Sequence, residues 1–247
     1  MPTALDAVFF DWGDTLFHFA YDDALLEAGW EAGLAAIGRS GLPAHHAAAA
    51  RFRERYLPLL GAREDHESLE EVEYPAMIRE LLSGFGVELS DEELARFLAA
   101  EHEVWEPALE SGTVGHALLD SLRDRGLKLA LVSNAKDPTW LLEEDLRRMG
   151  LAERLDAAVF SSEVGVRKPH PAMFERALAA LGVEPARTLF VGDSLYADVW
   201  GAKKLGMTTV QALWFRADDD ERGVEPDYRA FTPIDVLNVV RRLVGET

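Results

Sequence analysis

Four short apolar runs, each ending abruptly in a polar cluster and parted from the next by a stretch of helical period, constrain this chain more than its composition does. Leu5 to Phe10 ends at Asp11, Lys128 to Val132 at Ser133-Asn134, Ala157 to Phe160 at Ser161-Ser162, and Thr188 to Val191 at Gly192-Asp193. Runs so short and so uniformly apolar are the mark of strands buried on both faces, as in a parallel sheet covered by helices. The stretches Gly115 to Arg125, Pro138 to Met149 and Pro171 to Leu181 carry apolar residues three and four apart, the helical period. Strand and helix alternating in this way predict an α/β fold with a doubly wound, mostly parallel sheet, whose sites form beyond the carboxyl ends of the strands. All four polar clusters fall there.

One region breaks the alternation. From Phe17 to Pro107 only helical patterns occur, at Asp22 to Ile37, Pro43 to Leu60, Ser68 to Phe85 and Asp91 to Trp105, punctuated by Gly61, Gly84-Phe85-Gly86 and Pro107. The chain therefore divides into an α/β core of residues 1–16 and 108–247 and a helical insertion of residues 17–107. With 247 residues, 48% of them hydrophobic, it is long enough for both to hold packed interiors. The net charge of −19, from 44 acids and 25 bases, repels a phosphate backbone, so nucleic acid is not expected as a partner. Without cysteine there is no thiolate nucleophile, disulfide or cysteine-ligated metal. The N-terminal stretch has no basic segment, and no run approaches the roughly 20 apolar residues of a membrane span, so a cytoplasmic protein is expected.

Each polar residue at a strand end admits two readings. Asp11 could be a nucleophile or metal ligand, or a turn acid; Thr15 could donate to a phosphoryl oxygen or bond within its loop. Ser133 and Asn134 could hold a phosphate oxygen or cap the next helix. Lys168, ahead of a helix begun by Pro171, could be a surface charge or the partner of an aspartate and a phosphate. Asp193 and Asp198 could present oxygens to one hard cation, or could favour the positive end of a helix capped by Ser194. The helix-end reading accounts for either acid alone. It does not explain why Asp11, Ser133 and Lys168 gather at the same end of the sheet.

The order Asp11-Trp-Gly-Asp-Thr15-Leu, Leu131-Val-Ser-Asn134, Arg167-Lys-Pro169 and Gly192-Asp-Ser-Leu-Tyr-Ala-Asp198 resembles the four motifs of the haloacid dehalogenase-like hydrolase superfamily. The helical stretch after the first motif matches the subgroup with an α-helical cap there. The resemblance implies a Rossmann-like core with Asp11 as the nucleophile of an aspartyl-phosphate intermediate. It makes Thr15, Ser133, Asn134 and Lys168 phosphate-binding residues, with Asp11, the carbonyl of Gly13, Asp193 and Asp198 as magnesium ligands. The expected function is a magnesium-dependent phosphatase of a small phosphorylated metabolite. The alternative is a weakened relative that only binds magnesium and phosphate.

One position departs from the pattern. The family's phosphatases usually carry a second aspartate two residues after the nucleophile, and here Gly13 stands there, leaving Asp14 or solvent to move protons. Dehalogenases of the family lack the metal-binding acids that this chain has in Asp193 and Asp198. The Schiff-base hydrolases need a cap lysine, and residues 17–107 contain none. Substrate contacts are expected from Trp12, His18, Arg51 and Arg55, with Tyr21, Tyr56 and Trp105 as further aromatics. No pattern indicates an oligomeric state.

Overall fold

The structure is a computed structural model that describes residues 5–18, 23–39, 50–54, 69–106, 114–215 and 223–245. Six strands form one sheet in the order β3-β2-β1-β4-β5-β6: β1 (Ala7–Phe10), β2 (Lys128–Ser133), β3 (Ala157–Phe160), β4 (Thr188–Gly192), β5 (Thr208–Ala212) and β6 (Tyr228–Ala230). Every pairing is parallel, as the doubly apolar runs require. Because side chains alternate along a strand, Ala7 and Phe9 join one core cluster while Val8 and Phe10 join the other, and all four are fully buried.

One face of the sheet is covered by α4 (His116–Arg123), α5 (Thr139–Arg148) and α8 (Pro233–Val244), the other by α6 (Pro171–Leu181) and α7 (Gly201–Lys204). β1 sits between β2 and β4, where the strand order reverses. That places the ends of β2, β1 and β4 side by side, the position in which doubly wound sheets bind ligands. Two strands, β5 and β6, are absent from the sequence expectation. β5 opens on two threonines and carries a glutamine, and β6 has three residues, one of them Arg229, so neither presents an apolar run.

The insertion contributes α1 (Asp23–Ala36), a helical stretch at 50–54, α2 (Tyr74–Ser83) and α3 (Asp91–Glu103). They share an interior of their own around Trp30, Phe52, Ile78 and Phe97, joined from the core by Leu141. A Cβ on Gly33 would lie 2.7 Å from the Phe97 ring, so glycine is what lets α1 and α3 approach so closely. The expected helix from Ser68 starts later. Its first turn holds Pro75, and residues 69–73 run as extended chain with a bridge from Glu70 to Val166. Of the expected Pro43 to Leu60 helix, residues 50–54 lie among those described. No helix among the described residues is long and apolar enough to cross a membrane.

Candidate active site

At the end of β1 the backbone N–H of Asp11 donates to the carbonyl of Val191 at 2.9 Å, locking the loop after β1 against β4. The Asp11 carboxylate accepts from Lys168 Nζ at 2.5 Å, and the same ammonium donates to Asp198 Oδ1 at 2.6 Å. Asp193 completes the group: Asp11, Asp193 and Asp198 each offer a carboxylate oxygen within 4.8 Å of the others, and all three residues are buried. Asp198 owes its position to Gly192. A Cβ there would come within 2.3 Å of the Asp198 carboxylate, which lies directly over that glycine. The second oxygen, Asp198 Oδ2, accepts from the backbone N–H of Ser194 at 3.1 Å.

Burial opposes the charged form of Lys168, but the fields of Asp11 and Asp198 and their hydrogen bonds outweigh it, so its pKa is raised and the ammonium is held. Desolvation above all, with Asp11 adding its charge, pushes the Asp198 carboxyl up to about 7 against the pull of Lys168. Three buried acids whose oxygens lie within 4.8 Å of one another form a donor set suited to a hard divalent cation. Thr15 is fully buried, and its hydroxyl has no partner among the described residues. Its carbonyl accepts from Trp214 Nε1 at 2.9 Å, which ties down the loop that carries it. Ser133 ends β2 beside these groups and is 4% exposed.

Several expected residues stand elsewhere. The Asn134 side chain does not reach toward an anion: its Oδ1 accepts from the backbone N–H of Lys168 at 2.7 Å and its Nδ2 donates to the Lys168 carbonyl at 3.2 Å, so both ends of the amide are engaged in bracing that lysine. Trp12 is 3% exposed and packs edge-on to Phe17 and against Phe160 as part of the core. His18, also expected at the substrate, pairs its Nδ1 with Asp14 Oδ1 at 2.7 Å and stacks on Phe215. Arg51 is exposed on the 50–54 helix, Trp105 packs against the insertion's interior, and Arg55, Tyr21 and Tyr56 lie outside the described residues.

Gly13 has no left-handed φ, and a Cβ there would meet nothing within 4 Å; the residue held left-handed is Asp14, at φ 55°. Sequence reasoning also passed over residues behind the site. Gln211, buried in β5, donates to the Asp193 carbonyl at 3.4 Å, and with β5 itself not expected its amide carried no signal. Arg167 forms a buried ion pair with Glu71, although Glu71 lies 96 residues away along the chain.

The sequence model of the haloacid dehalogenase-like hydrolase family matches residues 5–206. A phosphoserine phosphatase of Thermus thermophilus is 34% identical over 223 residues, covering 90% of this chain and 72% of that protein. A glyceraldehyde 3-phosphate phosphatase of Methanopyrus kandleri is 38% identical over 136 residues, 52% of this chain and 55% of that protein, so this chain spans about half of that relative. Among solved structures, a HAD phosphatase from Thermococcus onnurineus superposes with TM-score 0.61 at 25% identity, covering 96% of this chain and 98% of the other. A 2-haloacid dehalogenase from Pseudomonas syringae gives 0.67 at 24% identity over 96% and 99%, a likeness of fold alone.

Proposed function

The chain belongs to the haloacid dehalogenase-like hydrolase family, and we propose that it is a magnesium-dependent phosphatase of a small phosphorylated metabolite, working in the cytoplasm through an aspartyl-phosphate on Asp11. The observation that carries this reading is the buried cluster of three carboxylates, two of which share the ammonium of Lys168. A phosphate dianion cannot approach such a group unless the repulsion is offset. Magnesium held by Asp11, Asp193 and Asp198, with the Gly13 carbonyl, would supply that offset and polarise the phosphoryl oxygens.

The chain's own residues account for the remaining steps. A free Asp11 oxygen attacks phosphorus while the ester P–O bond breaks, leaving an acyl phosphate on Asp11 and an alkoxide that takes up a proton. Water then cleaves the acyl phosphate, and Asp11 returns as carboxylate. Lys168 neutralises the transferring group, and the hydroxyls of Thr15 and Ser133 donate to its oxygens. Proton transfer falls to Asp14, steadied by His18, or to solvent. The helical insertion, taken as residues 17–107, is a cap over this end of the sheet and sets the substrate.

Gly13 is the one feature that favours the weaker reading, a protein that binds magnesium and phosphate without turnover. Phosphate release from a panel of phosphorylated metabolites with magnesium present separates the two. Turnover of at least one small ester, lost on chelation, is the expected result. Tight binding of magnesium and phosphate with no release from any ester, aryl phosphates included, would leave the binding module.

A further inference from the structure

Glu71 belongs to the insertion, three residues before α2, yet its carboxylate is buried among the loops that carry the site. Its two oxygens accept from Arg167 Nη1 at 2.8 and 2.9 Å, and one also accepts from the Ser161 hydroxyl. The side chains are 2% and 7% exposed. The backbones are joined as well: the Glu71 N–H donates to the Gly165 carbonyl at 3.0 Å, the Arg167 N–H donates to the Leu69 carbonyl at 2.7 Å, and Glu70 bridges Val166 antiparallel. Residues 69–71 are thus a short ribbon laid along 165–167, and the next residue is Lys168.

The same carboxylate reaches the other loops of the site. Ser161, which Glu71 engages, follows β3, and its oxygen accepts from the Ala135 N–H at 2.8 Å. Ala135 adjoins Asn134, whose amide clamps the backbone of Lys168. One acid from the insertion therefore ties together the loops after β2 and β3 and the segment that presents the lysine. Stability is a poor account of this cluster. Arg167 Nε and Nη2 are buried without a partner among the described residues, and a buried ion pair with unspent donors is weak as a source of folding energy.

We propose that Glu71 is a positioning residue for Lys168: through Arg167 and the ribbon it fixes where the ammonium stands between Asp11 and Asp198, so that the insertion and the phosphate site share one joint. The inference rests on the proposed role of Lys168 in binding the transferring phosphate. Misplacing a binding group by about 1 Å can cost on the order of 100-fold, so a joint of this kind is a means of control. The coupling is reciprocal, so phosphate held at Lys168 steadies the ribbon in return.

The test uses inorganic phosphate, with magnesium saturating, as a competitive inhibitor of the unmodified protein and of Glu71→Gln, Arg167→Lys, Arg167→Met and Lys168→Met. Glu71→Gln and Arg167→Met should weaken phosphate about tenfold or more and lower kcat/KM in step, while Arg167→Lys, which keeps the ion pair, retains most of the affinity. A lowered unfolding midpoint in Glu71→Gln with phosphate affinity unchanged would reduce Glu71 to a structural tie and overturn the proposal. If Lys168→Met leaves phosphate affinity unchanged, the reading of the site itself has failed, an outcome that does not involve Glu71. Should Glu71→Gln not fold, hydrogen exchange on the unmodified protein decides. Phosphate should slow exchange of the Glu71 and Arg167 amides, and equal rates with and without it overturn the coupling.

Discussion

At the ends of β1 and β4, the three buried carboxylates of Asp11, Asp193 and Asp198 meet one ammonium. Along the seam between the insertion and the core, buried charges meet in pairs: Glu71 with Arg167, and His102 of α3 with Asp145 of α5 at 2.8 Å. The first arrangement crowds three acids together; the second joins opposite charges across two parts of the chain. Crowded acids at strand ends suit a ligand, while paired charges hold two parts of a molecule in register. Substitutions in the carboxylate cluster and at the His102–Asp145 pair should therefore have opposite signatures.

The largest expected effect is at the carboxylate cluster. Asp11→Asn keeps the side chain's size but removes the nucleophilic oxygen and one of the repelling charges. Turnover should fall to background while the unfolding midpoint of the metal-free protein stays level or rises. Steady-state assay beside thermal melting checks both. Substantial activity in the purified variant would remove Asp11 from the chemistry. Chelation should act on the same region without mutation: phosphate release stops, and magnesium added back raises the midpoint by binding the folded state.

Gly13→Asp comes next in size. The space at Gly13 is open and its backbone is not left-handed, so an aspartate fits without strain. If leaving-group protonation is what the chain lacks, the variant should speed alkyl phosphates about 100-fold and leave aryl phosphates nearly unchanged, since a phenolate departs without a proton. If Asp14 and His18 already supply the proton, Asp14→Asn should slow alkyl phosphates selectively and Gly13→Asp should add little. An unchanged aryl-to-alkyl ratio in both variants would favour the binding module.

The paired region should answer differently. His102→Ala leaves Asp145 buried and alone, which costs about 3–5 kcal/mol of stability, yet kcat/KM below the melting range should change by no more than a few-fold. Chemical denaturation measures the first and the assay the second. A large loss of kcat/KM with the fold intact would mean that the His102–Asp145 pair also acts on the site, as Glu71 and Arg167 are proposed to do.

How much of this was open to sequence reading follows the same division. The strand ends were legible because a doubly buried strand is a run of apolar residues and whatever interrupts it is conspicuous: Asp11, Ser133 and Asp193 stand out in this way, and Asp11 and Asp193 lie together with Asp198 in the structure. The seam was not. Glu71 and Arg167 are 96 residues apart and His102 and Asp145 are 43 apart, and within a helical pattern each looks like any solvated charge. Asn134 marks the limit of the motif argument, for an amide beside Ser133 reads as a phosphate donor, and only the geometry reveals that it holds the backbone of Lys168. β5 and β6 were missed because the outer strands of this sheet are polar or very short.

The smallest effect expected is a pH dependence of the seam, and its sign follows from two groups. Burial opposes a charged His102, but the hydrogen bond to Asp145 and the fields of Asp137, Asp145 and Glu101 outweigh it, so the folded pKa lies above 6.5. The stability this pair contributes is fully present below 6.5 and is lost as pH rises through the folded value. Glu101 is raised from 4.5, chiefly by desolvation, against the pull of Lys136 and the hydrogen bond from Tyr74, with Asp137 adding to the rise. Folding therefore favours its protonated form, and that contribution too is present below 4.5 and lost as pH rises through the folded value. Both groups weaken the seam in the same direction. Asp198, pushed up to about 7, would add a similar trend in the metal-free protein, so the measurement belongs in saturating magnesium. Hydrogen exchange of the α3 amides should then quicken relative to the strand amides between pH 6 and 9, after correction for the intrinsic rate. His102→Gln, which cannot take up a proton, should flatten that dependence. A seam whose relative exchange is level across this range in the unmodified protein would mean that the pair persists with His102 neutral, held by its hydrogen bond and not by charge.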